Sequence, residues 1–339
     1  MLTVAFIPRI ETLWGKAADI DGGGRMAVLF TGTLNEEQVA IGYFNPADFF
    51  ERNDDAASGA YNPSSNEMDV IYAAMPDPDP GSAFSAENVI ATIAHEMAHA
   101  ATFTAKTWGR IMGGDTRAAR EELFLDEGWS HLAENLCGLG VSGGNIKFLK
   151  RFLDDTPAYS FCGPNSHGQE DSAGMRGAIT LFLSWLFWKS GGMAWEDSNP
   201  AALVDTGGIS FLRRMAESPG TGWESIGEAF GMPVRMLFAG MLEEMNGLIT
   251  ANGVYNYATD PLTHEAVDFF INMGVVDMPG GTGKIAIGFP ESSPAGMANS
   301  LLPWSFVFIK PLHIPDDTLI TLHSVKISGD IFYSCLPIP

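Results

Sequence analysis

The sequence predicts an α+β protein built from more than one packed unit, and three observations lead there. The chain has 339 residues, more than a single hydrophobic core usually serves. Hydrophobic residues make up 46% and charged residues 18%, the balance of a globular protein and not of a disordered or collagen-like one. Strand patterns gather towards the two ends and helical patterns fill the middle, the segregation typical of the α+β class.

Taken in order, residues 3–7, 26–30, 38–44 and 68–73 read as strands, with turn-forming runs at 19–24 and 76–81 between them. Ser85 is placed as an N-cap with Glu87 in the first turn, opening a buried helix over 86–106. Helical patterns follow at 117–136, 146–154, 175–189, 209–217, 223–230 and 234–245. Past Asn252 glycine and proline cluster again, around strand-like runs at 284–289, 304–309, 319–327 and 331–334. The expected division is an α+β lobe over 1–115, a mainly α-helical lobe over 116–251 and a small β-rich unit over 252–339. No internal repeat stands out.

With 19 basic and 41 acidic residues the formal charge is -22, which repels phosphate backbones and argues against nucleic acid as a partner. The longest apolar run, 177–188, falls short of the roughly 20 residues a bilayer requires, so no membrane span is expected. The opening residues lack a basic n-region and a small-residue cleavage site. An acidic surface suits an extracellular setting, so the expectation is a secreted or cell-surface protein whose leader has been trimmed, or else a cytoplasmic one. Cys137, Cys162 and Cys335 lack CxxC spacing and allow one bridge at most.

Inside the helix expected at 86–106 stands His95-Glu96-Met97-Ala98-His99, the HExxH pattern. Residues four apart share a helical face, so both imidazoles can reach one ion while Glu96 stands beside a metal-bound water as general base. A catalytic zinc needs a third protein ligand. Downstream, Glu127, Ser130, His131 and Glu134 share one face of a predicted helix. Glu127 is the choice for third ligand, and His131 its main competitor.

His95-Glu96-Met97-Ala98-His99 followed by Leu125-Asp126-Glu127-Gly128-Trp129-Ser130-His131-Leu132-Ala133-Glu134 resembles the gluzincin metallopeptidases, and among them the hyicolysin family of bacterial peptidases. Residues 19–29, 42–48, 65–72 and 177–242 are similar too, so the resemblance spans about 19–245 and leaves the C-terminal unit unread. It implies a zincin-like N-terminal lobe with an active-site helix, a Zn2+ cofactor and a peptide or protein substrate. It also implies that the glutamate of an EG-containing helix, here Glu127, completes the ligand set. The substrate would lie extended along an edge strand, for which 66–73 is the candidate.

Two departures stand out. Thermolysin-like gluzincins carry an aspartate four residues after the third ligand, where this chain has His131, leaving Glu134 or Asp126 to orient the zinc-bound histidines. Gluzincins commonly hold the reaction's oxyanion with a tyrosine or histidine, and the related pattern puts Arg176 at that tyrosine's place. A guanidinium is chemically sufficient there. Tyr159 and His167, on the preceding loop, are the other candidates. Two further functional readings stay open: a surface or binding protein that retains a zinc site, and a zinc hydrolase acting on a non-peptide bond.

Other signals are discounted. The GxGxxG match at 138–143 follows a helix where a dinucleotide site needs a strand, and the glycine-rich run at 280–284 lacks the rest of a P-loop. Asp19 and Asp21 ahead of three glycines read as a tight turn and not as a calcium loop.

Overall fold

The computed structural model describes residues 6–251, 258–265, 267–268, 275–277, 284–286, 293–294, 302, 304–306 and 309–310. Its architecture is α+β. Helix α1 covers Phe6–Trp14, with Phe6, Ile10, Leu13 and Trp14 almost fully buried on one face. That spacing is helical. The strand expected at 3–7 is therefore, from Phe6 onward, the first turn of a helix, while 1–5 lie outside the described residues.

Strand β1 (Ala27–Thr31), the short helix α2 (Gly32–Glu37), β2 (Gly42–Phe44) and β3 (Val70–Ala74) form a small mixed sheet. The strand order is β1-β3-β2, with β1 parallel and β2 antiparallel to β3. Gln38, at φ 52°, caps α2 in the left-handed region. The turn it makes shortens the strand expected at 38–44 to its last three residues. The expectation that 66–73 forms a substrate-binding edge is corrected: β3 lies in the middle, with β1 and β2 pairing its backbone from both sides and all its residues buried. The edge that meets the cleft described below is β2.

Helix α3 covers Ala86–Phe103, and the Ser85 hydroxyl accepts the Asn88 N–H as the cap. A π-helical turn, Thr104–Trp108, carries it into α4 (Gly109–Met112). Gly42 lets β2 press onto α3, because a Cβ there would meet Tyr72 O at 2.8 Å and Thr92 Cγ2 at 2.9 Å. Helix α5 (Leu123–Leu136) begins six residues later than expected. Asp115 explains the delay: its carboxylate accepts the Arg117 N–H and pairs with Arg110, holding a turn in place of a helix.

The helices α6 (Asn145–Asp154), α7 (Ala173–Lys189), α8 (Gly208–Glu217), α9 (Trp223–Phe230) and α10 (Val234–Ala251) follow where their periodicity predicts them. Between α7 and α8 an antiparallel hairpin, β4 (Met193–Glu196) with β5 (Asn199–Asp205), was not foreseen. Further on, β6 (Val275–Asp277) pairs antiparallel with β7 (Lys284–Ala286), and β8 (Ser293–Pro294) parallel with β9 (Ile309–Lys310). These match only parts of the strands expected at 284–289 and 304–309. Those at 319–327 and 331–334 lie outside the described residues.

One continuous apolar core joins residues of α1, α3, α5 to α10 and Phe306. Arg9 is wholly buried within the fold, paired with Asp260 and donating to Pro200 O at 2.7 Å and Ala201 O at 3.3 Å. Cys137 and Cys162 are free thiols, and Cys335 lies outside the described residues. Among those residues, no helix is long and apolar enough to cross a membrane.

Candidate metal centre

Helix α3 packs against α5 and brings two polar stripes together at a cleft of about 760 Å³ that β2 also lines. From α3 come His95, Glu96 and His99; from α5 come Asp126, Glu127, His131 and Glu134; α7 adds Arg176. His95, Glu96, Glu127, His131 and Glu134 are all buried, which is costly for such groups unless something satisfies them.

Two groups here could hold a metal ion: His95, His99 and Glu127, and His95, His131 and Glu134. Their spacings differ in kind. In the first, Nε2 of His95 lies 3.1 Å from Nε2 of His99 and 3.4 Å from Oε2 of Glu127, and His99 Nε2 is 3.9 Å from Glu127 Oε1. Ligands bonded at zinc-like lengths around a tetrahedral ion sit roughly 3.3 Å apart, so these three donors fit one ion. In the second group, Glu134 Oε1 lies 2.7 Å from His95 Nδ1 and 2.8 Å from His131 Nδ1. Those are hydrogen-bond lengths, and they make Glu134 a shared acceptor for two ring N–H groups.

The hydrogen-bond partners support the same division. With Nδ1–H of His95 donated to Glu134, Nε2 is the nitrogen that would give up its proton to take an ion. Asp126 Oδ1 stands 3.0 Å from His99 Nδ1, as a close ionic contact without an aligned hydrogen bond. Both residues named as stand-ins for the missing aspartate are thus in place, one on each histidine. Glu127 Oε2 is buried and receives no aligned hydrogen bond, although Arg176 Nη1 stands 2.8 Å away as an ion pair.

The electrostatics describe a site short of positive charge. Burial works against a charged His95, but Glu127 and Glu134 on either side of the ring more than offset it and push its pKa up to about 10. Burial would raise Glu127, yet His95, His99 and Arg176 hold its carboxyl well below the usual range. The carboxylate field that draws a proton onto His95 is the field that favours a cation in its place. His131 behaves differently: burial pushes it down, with His95 and Arg176 adding and Glu134 opposing.

Glu96 points towards the edge strand, where its Oε2 accepts the Phe44 N–H at 2.9 Å. Among the described residues the other carboxylate oxygen has no backbone partner. Arg176 is braced by Asp171, which accepts from Nε at 2.8 Å and Nη2 at 2.7 Å, while its Nη1 lies 3.3 Å from His131 Nε2. Of the three oxyanion candidates, only Arg176 lines the cleft. Tyr159 is buried against Gly174, whose Cβ would lie 2.2 Å from the phenol ring. His167 sits exposed in a loop organised by the Asn165 side chain. Sequence reasoning also missed the Asp171 brace and the Phe44 bond, the second because a backbone N–H carries no residue-type signal.

The turn at 19–24 is as expected, with Asp21 and Asp19 accepting the Gly23 and Gly24 N–H groups. Asp69 joins them closely enough to form a third group that could hold an ion. No protein-family model matches this sequence, and no curated protein does.

Proposed function

We propose that the chain is a zinc-dependent peptidase, with His95, His99 and Glu127 as ligands and Glu96 as general base. The observation that carries the reading is the set of three donor atoms spaced for one tetrahedral ion, with a glutamate beside them in an open cleft. A structural zinc site usually closes its fourth position and uses thiolate; among the described residues no cysteine lines this cleft.

Zinc held there would supply a Lewis acid that lowers the pKa of a bound water and polarises a carbonyl. The protein's own part is to place groups around it. Glu96, fixed by the Phe44 N–H, uses its other oxygen to take the proton from water and hand it to the leaving amine. Arg176, held by Asp171, donates to the developing oxyanion. Among the described residues strand β2 has one side without a strand partner, and it lines the cleft, which suits it to align an extended peptide by main-chain hydrogen bonds.

The test couples metal analysis to digestion of unfolded casein. Purified protein should carry one zinc per chain and cut casein in a chelator-sensitive way, while Glu96→Gln should keep the metal and lose turnover. Casein cleavage by metal-free protein would overturn the reading.

A further inference from the structure

The cleft is charged unevenly. Around the candidate metal centre it presents Glu96, Asp126, Glu127 and Glu134, but where it follows α3 beyond His99 it meets Phe103, Lys106, Thr107 and Arg120. In a chain of net charge -22, two of the three lysine and arginine side chains that line the cleft have acidic partners. Arg176 is held beside the metal centre by Glu127 and Asp171. Lys106 is buried, 3.0 Å from Glu121 Oε2 and 3.2 Å from Met215 O. Arg120 forms no ion pair among the described residues, although two glutamates follow it directly in sequence. Both are turned elsewhere: Glu121 binds Lys106 and the Gly222 N–H, and Glu122 packs against Gly222.

We propose that this end of the cleft is a subsite for a substrate carboxylate, received by Arg120; the inference rests on the peptidase reading and names its substrate class. The guanidinium lies over the Phe103 ring, 5.9 Å from its centroid. Stacking uses one face of the planar group and leaves its fork of N–H donors free to take a carboxylate side-on. Trp129 adds to the same stretch of wall, with Lys106 over its ring at 5.7 Å. Its indole N–H is buried without an acceptor among the described residues. Counting Lys106, Arg120 and Glu121, the subsite keeps a net positive charge.

Reach sets where the carboxylate must lie. Phe103 and Lys106 follow His99 by four and seven residues, or about 6 and 10 Å along a helix. An extended peptide advances about 3.3 Å per residue, so the carboxylate belongs two or three residues from the bond being cut. An acidic side chain at that distance and the C-terminal carboxylate of a short peptide present the same chemistry.

The experiment is calorimetric titration of zinc-loaded Glu96→Gln protein with matched peptides. One series scans a glutamate against glutamine along the sequence, and the other ends in a free carboxylate or an amide. The expected result is roughly tenfold tighter binding of the peptides with a carboxylate at the right distance. Which series shows the gain identifies the source. Adding Arg120→Ala should erase the gain and leave the neutral peptides unchanged, and Arg120→Lys should restore part of it. Equal affinity for charged and neutral peptides, or no binding of either, overturns the subsite. Wild-type protein that binds the acidic peptides without cutting them would leave the subsite standing and remove the peptidase reading.

Discussion

Glu134 holds two imidazoles on one oxygen, and that single contact orders much of the site. Because both rings donate through Nδ1, both turn Nε2 into the cleft, towards Glu127 from His95 and towards Arg176 from His131. Glu134→Gln, which offers one weaker acceptor, should lower zinc affinity about 10- to 100-fold. Glu127→Ala should empty the site, whereas His131→Ala should leave zinc bound, since His131 Nε2 faces Arg176 and lies 4.0 Å from Glu127 Oε2. Competition with a chromophoric chelator measures all three, and the reverse order for Glu127 and His131 would transfer the ligand role to the histidine. At this scale the sequence was informative wherever spacing along one helix decided the matter, as with His95 and His99, or Glu127 and Glu134. It was silent on Asp171 and Phe44, whose roles depend on how separate segments meet.

Between elements, α5 packs on α7 as well as on α3, and Gly128 makes the approach to α7 possible. A Cβ at that position would stand 2.7 Å from Ile179 Cγ1 and 2.8 Å from Leu183 Cδ1, so the helices approach closely one residue after Glu127. Gly128→Ala should cost about 1–3 kcal/mol, as overpacking does, and should weaken zinc binding as well, because α7 carries the Arg176 that pairs with Glu127. Urea unfolding of metal-free protein reads the first effect and chelator competition the second; a variant unchanged in both would show that the two helices are free to separate. Helices were the legible elements, because 3.6-residue periodicity is written within each segment. Strand pairing is not written so. The run at 70–74 shows its burial but not that β1 and β2 flank it, and the β4–β5 hairpin carries too weak an alternation to be found.

Across the whole molecule, Arg9 ties the first helix to residues far along the chain, with Asp260 as its ionic partner and the carbonyls of Pro200 and Ala201 beside it. Neither member of the pair is exposed to solvent. Arg9→Met would strand a buried carboxylate and should cost about 3–5 kcal/mol, while the double change Arg9→Met with Asp260→Asn should recover part of that loss. The midpoint of urea unfolding decides it; a single variant as stable as the parent would mean that water reaches Asp260.

His95 and His99 stand on α3 and Glu127 on α5, so the three meet only while those helices are docked. An ion that binds the docked form and not the open chain draws the equilibrium towards it by mass action, by about 2.7 kcal/mol when free ion reaches 100 times its dissociation constant. The working lifetime of the molecule is then partly a property of the fluid around it. A medium rich in chelators would shorten that lifetime even where no substrate was ever cut.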